Sequence, residues 1–162
     1  MPTHTASRQT IDDFLAQKRI AMVGVSHDPH DFSVALFREL CRRGYDVVPV
    51  NPCIPQVDGR ECFAHVWDID PPVEAALLMT SPDVTVEIVR DCAEAGIRRV
   101  WMYSASGQGA VSNRALAFCW ENGIEVVPGE CPFMFLGHPG AIHALHGFVR
   151  KITGNYPRRP AA

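Results

Sequence analysis

Three groups of residues in this 162-residue chain have types and spacings that chemistry uses. The first is Gly24-Val25-Ser26, at the end of the apolar run 20–25. A glycine there lets the backbone turn sharply, and the missing Cβ admits an anionic group close to the main chain. Ser26 adds a hydroxyl, and a helix beginning soon after would present unpaired N–H groups that attract negative charge. The arrangement suits the phosphates of a nucleotide-like cofactor; the plainer reading is a glycine that only makes a turn. The second group is Cys131, His138, His143 and His146. Cysteine and histidine ligate zinc, and His143 and His146 stand one helical turn apart. Their spacing matches no standard zinc site, so packed or surface side chains are the simpler expectation. The third group, Ser104 and Ser106 with Gly107 and Gly109, forms a loop that either covers a ligand or only joins a strand to a helix.

The familiar catalytic patterns are missing. A dinucleotide site wants G-x-G-x-x-G and an acidic residue about 20 positions on. Here Ser26 stands at the second glycine, Pro29 at the third, and the next strand ends in Val50-Asn51-Pro52. No G-x-S-x-G elbow or P-loop is present. The residues favour binding over catalysis. The alternative kept open is an NAD(P)-dependent oxidoreductase or a metal-dependent enzyme on the same fold, and a third reading is a module that docks another protein.

The elements that position these residues follow from periodicity and punctuation. Short apolar runs at 20–25, 46–50, 74–79, 99–103 and 125–127 read as buried strands. Helical spacing at 33–43, 82–95 and 113–122 reads as helices stopped by Gly44, Gly96 and Gly123, with Ser33 or Asp31 capping the first. A small helix is expected near 62–67, and Ile142, Leu145, Val149 and Ile152 mark an amphipathic C-terminal helix. Alternating strands and helices predict an α/β fold: a single Rossmann-like, doubly wound domain with a five-stranded parallel sheet. The expected strand order is 3-2-1-4-5, with ligands bound beyond the carboxyl ends of the strands. Residues 1–19 form an N-terminal polar segment or helix, 20–130 the domain, and 131–162 a C-terminal extension.

Composition limits the partners. Hydrophobic residues make up 47% and charged residues 20%, and the net charge of -3 argues against a nucleic-acid surface. No stretch approaches the length of a membrane span, and the first 19 residues hold no secretory core. Six cysteines with no C-x-x-C pair point to thiols and a cytoplasmic location. The apolar run Pro132-Phe133-Met134-Phe135-Leu136 is either a self-association surface, giving a homo-oligomer, or a packed part of the extension.

Taken together, I-A-M-V-G-V-S-x-x-P from Ile20, G-Y-D-V-V-P-V-N-P from Gly44 and G-R-E-C-F from Gly59 resemble the stand-alone CoA-binding domain proteins. These are single Rossmann-like domains similar to the CoA-binding domain of the succinyl-CoA synthetase alpha subunit. The resemblance covers about residues 19–127. It implies non-catalytic binding of coenzyme A or an acyl-CoA at the carboxyl ends of the strands. The implied contacts are Gly24, Ser26 and Ser33 toward the CoA phosphates, Val50-Asn51-Pro52 along the adenosine end, Thr80-Ser81-Pro82 beside the pantetheine path, and Val25, Pro29, Phe32 and Ser104 as further cofactor-binding residues on the same rim.

Overall fold

Five runs of aliphatic and β-branched residues line up side by side as one parallel sheet in this computed structural model, which describes residues 5–137. They are β1 (Arg19–Val23), β2 (Asp46–Val50), β5 (Ala75–Leu78), β6 (Arg99–Tyr103) and β7 (Glu125–Glu130), and two short strands, β3 (Gln56–Val57) and β4 (Arg60–Glu61), pair apart from them. Helices α1 (Arg8–Leu15) and α2 (Phe32–Arg42) cover one face; α3 (Pro82–Glu94) and α4 (Asn113–Glu121) cover the other. The α/β fold, with its single five-stranded parallel sheet, is the expected one.

Alternation along each strand sorts the core into two halves. Ile20, Met22, Leu77 and Trp101 face α1 and α2, whereas Ala21, Val23, Leu78 and Met102 face α3 and α4. The central strands β1 and β5 are apolar on both faces, as a covered parallel sheet requires.

The strand order corrects the expectation. It is β2-β1-β5-β6-β7, which is 2-1-3-4-5 for the five main strands rather than 3-2-1-4-5. Proline explains why β2 lies at an edge. Pro49 has no amide to donate, and its carbonyl faces outward, accepting from the Phe63 N–H at 3.0 Å. Pro128 marks β7, the opposite edge, in the same way. The switch in chain direction therefore falls between β1 and β5, where the third main strand returns past the first.

A second correction concerns the segment after β2. No α-helix forms at 62–67, and the expected small helix is reduced to a single 3-10 turn at its end, Val66–Asp68. Before it, β3 and β4 make a hairpin through Asp58 and Gly59, both at positive φ, and Phe63 bridges to Val50.

The flanking segments pack on this frame. Ser7 caps α1 by accepting from the Thr10 N–H at 3.0 Å, and Phe14 meets the fully buried Trp101 edge-on at 5.3 Å. From the other end of the chain, Phe135 reaches Trp101 at 6.0 Å, and Arg43 donates to the Leu136 and Gly137 carbonyls. The described part of the Pro132–Leu136 run is thus core, with Pro132, Met134 and Phe135 buried. The amphipathic C-terminal helix, His138, His143 and His146 lie outside the described residues.

Candidate functional site

Gly24 sits at the switch point. Its φ of +91° is one that L side chains rarely adopt, and a Cβ there would lie 3.0 Å from the Met79 carbonyl oxygen and 3.2 Å from Thr80 Cγ2. Its N–H donates to the Val50 carbonyl at 2.9 Å, and the Met79 N–H donates to the Val23 carbonyl at 2.8 Å. The ends of β2, β1 and β5 are thereby drawn into one narrow ridge, with a cleft on each side that both Gly24 and Thr80 help to line.

On the α2 side the cleft is about 420 Å³ and is lined by Ser26, Asp31, Phe32 and Ser33 from the first loop and helix, and by Thr80, Ser81 and Tyr103 from the strand ends. Asp31 rather than Ser33 is the N-cap of α2; its Oδ1 accepts from the Ser33 N–H at 2.8 Å and from the Ser33 hydroxyl. The Ser33 Oγ accepts from the Ser26 N–H at 2.9 Å, and the Ser26 Oγ accepts from the Asp28 N–H at 3.0 Å. Phe32 stacks on Tyr103 with ring centres 5.3 Å apart. Burial, with Cys131 and Asp31 nearby, pushes the Tyr103 phenol up to about 12, so it remains a hydrogen-bond donor at neutral pH.

On the α3 side the cleft is smaller, about 310 Å³, and more apolar. Val50, Val66, Val84 and Ile88 form its walls, while His65 and Asp91 bring polar side chains to it. His65 stacks nearly parallel on Trp67 at 4.4 Å, and burial raises the Asp91 carboxyl above its ordinary value, which the nearby His65 opposes.

Asn51 ties the two loops together. Its Nδ2 donates to the Val25 carbonyl at 2.9 Å and its Oδ1 accepts from the Cys53 N–H at 2.8 Å, so both ends of the amide are engaged within the protein. Thr80 shares a 2.7 Å hydrogen bond with the buried Thr85, whose hydroxyl also donates to the Ser81 carbonyl.

Of the residues singled out in the sequence, Gly24, Ser26, Phe32, Ser33, Thr80 and Ser81 line the α2-side cleft, and Gly24, Asn51, Pro52 and Thr80 line the other. Val25 is buried beneath the ridge, Pro29 lies on the exposed loop, Pro82 opens α3, and Ser104 is buried with its hydroxyl donating to the Gly107 carbonyl at 2.8 Å. Ser104 closes its own loop: a Cβ at Gly109 would come within 2.7 Å of its Cβ. Tyr103, His65, Ile88 and Asp91 were not singled out; they come from elements remote in sequence that the fold gathers at the rim. Cys131 is buried, and burial lifts its thiol to about 11, the opposite of what a reactive cysteine needs. Among the described residues no group of three or more His, Cys, Asp and Glu could hold a metal ion, and no helix is long and apolar enough to cross a membrane.

A parallel sheet with paired clefts at its switch point defines a Rossmann-like α/β domain. The chain belongs to the CoA binding domain family, whose pattern matches residues 18–136. It is 26% identical to YneT of Bacillus subtilis (strain 168) over 126 residues, which is 77% of this chain and 90% of that protein. It is 27% identical over 96 residues, 59% of this chain, to the alpha subunit of an ADP-forming acetate–CoA ligase II from Pyrococcus furiosus, of whose length the match spans only 21%. A solved structure, a hypothetical protein from Pyrococcus horikoshii OT3, superposes with a TM-score of 0.73 at 30% identity, covering 82% of this chain and 91% of that one. Membership in the family ties the protein to CoA-related binding.

Proposed function

We propose that the protein binds coenzyme A or an acyl-CoA across the Gly24–Thr80 ridge and performs no chemistry on it. The observation that carries this reading is the ridge itself. A long ligand with a base at one end, phosphates in the middle and an amide-rich arm at the other matches a narrow, Cβ-free crossing between two clefts. The apolar α3-side cleft suits the adenosine end. The α2-side cleft, with the Ser26 and Ser81 hydroxyls and the neutral Tyr103 phenol, suits the diphosphate and the pantetheine arm. No cysteine is among the described residues that line the two clefts, and Cys131, just after β7, is buried with its thiol lifted above the ordinary range, so it is not prepared as a nucleophile. A cytoplasmic setting goes with this reading, since such a compartment keeps cysteines as thiols.

Titration calorimetry with CoA, acetyl-CoA, NAD and NADP tests the proposal, alongside thermal melts. CoA and acetyl-CoA are expected to bind and to raise the melting temperature, because a ligand held about a hundredfold above its Kd stabilises the native state by about 2.7 kcal/mol. Acetyl-CoA recovered after incubation is expected to be unchanged by chromatography. Absence of both heat and thermal shift with millimolar CoA would sink the proposal.

A further inference from the structure

The hydrogen bonds at the start of α2 are closed within the protein. The Asp31 carboxylate accepts from both the backbone N–H and the hydroxyl of Ser33, and that hydroxyl oxygen accepts from the Ser26 N–H. Donors of this kind, at the first turn of an 11-residue helix following a strand-end loop, are those an anionic oxygen takes. Here a side-chain carboxylate takes them. Asp31 also lines the α2-side cleft and is exposed to it, while Ser33 is buried, so the carboxylate is the outermost link of the chain.

We infer that Asp31 acts as a built-in anion that occupies the head of α2, limiting affinity for a phosphate-bearing ligand and favouring the neutral arm of that ligand in the same cleft. The inference rests on the proposed CoA reading for its ligand but not for its physics. A phosphate approaching Ser26 and Ser33 must displace the carboxylate or bind beside a like charge; either weakens it. The neutral pantetheine arm meets no such opposition and gains the Phe32–Tyr103 wall. The charge reaches across the cleft, since Asp31 is one of the groups that push the Tyr103 phenol up.

The test uses the full chain and Asp31→Asn, which keeps a side-chain oxygen able to cap α2 and removes only the charge; Asp31→Ser serves as a second capped variant. Calorimetry compares CoA, pantetheine and inorganic pyrophosphate as probes. Both variants are expected to bind CoA and pyrophosphate about three- to tenfold more tightly than the parent at about 0.05 M salt, with the gain shrinking toward none at about 0.5 M. Pantetheine affinity is expected to stay the same. A purely structural role for Asp31 would move all three probes together and show no salt dependence. Equal CoA and pyrophosphate affinities in parent and variants overturn the inference, as does binding of pyrophosphate by none of them. If pyrophosphate gains and CoA binds to no form, the inference stands and the CoA reading fails.

Discussion

Replacing Gly24 by alanine perturbs the fold and the proposed site at one atom. The new Cβ would lie 3.0 Å from the Met79 carbonyl oxygen, 3.1 Å from the Met79 carbonyl carbon and 3.2 Å from Thr80 Cγ2. The two nearest atoms are backbone, held in register by the β1–β5 ladder, and cannot swing away as a side-chain end would. Holding alanine at positive φ costs about 1–2 kcal/mol, and crowding a packed strand end adds about 1–3 kcal/mol. The sum is a sizeable part of a typical stability of about 5–15 kcal/mol. Gly96→Ala supplies the control, because Gly96 also has positive φ, +79°, but nothing within 4 Å of where its Cβ would stand. Urea denaturation of both variants, with m-values checked for constancy, separates the backbone cost from the contact cost. Gly24→Ala is expected to lose at least about 1 kcal/mol more than Gly96→Ala and to weaken CoA binding, which Gly96→Ala leaves intact. Equal losses in the two variants would refute the argument that the close approach at the ridge demands glycine.

Asn51→Ala, which removes the amide bridging Val25 and Cys53, is expected to cost about 1–3 kcal/mol in thermal or urea unfolding, since it strands a carbonyl; an unchanged midpoint would contradict the bracing role. With a thiol reagent, the exposed Cys53 is expected to react at once, and Cys92, Cys119 and Cys131 only after denaturant is added. Stability is expected to fall at both pH extremes. Arg42 and Arg43 hold the Glu39 carboxyl at about 2, below its unfolded value, so its contribution is present above about pH 4.3 and is lost as pH falls toward 2. Glu39→Gln should flatten that limb. Burial raises Cys119 to about 12 and Cys131 to about 11, so their contribution is complete below about pH 8.5 and is lost as pH climbs through 11 to 12. Chemical denaturation across the pH range checks both limbs.

Much of the architecture was legible because each element carries its own punctuation. The apolar runs and the glycines at 44, 96 and 123 placed the five main strands and three of the helices to within a few residues. Strand order was less accessible, since it depends on contacts between segments far apart in sequence. Even so, Pro49 and Pro128 mark β2 and β7 as edges by their missing amides, and giving them weight would have excluded an internal position for β2. The Asp58-Gly59 pair was likewise a hairpin signal, just ahead of the segment where a small helix was expected. At the site, Gly24, Ser26, Asn51 and Thr80 were visible because they stand at strand ends, where such folds bind. Tyr103, His65 and Asp91 were not, because nothing local distinguishes them until the sheet closes. Asp31 was visible as one of two possible caps, but its hold on Ser33 emerges only from side-chain geometry.

Amide chemical-shift mapping of the labelled protein during a CoA titration tests the central claim most directly. Saturable shifts are expected at Gly24, Ser26, Asn51, Thr80 and Tyr103, at the carboxyl ends of the strands, with Gly44, Tyr45 and Arg99 at the amino ends unmoved. Shifts confined to the amino ends, or none at millimolar CoA, would contradict it.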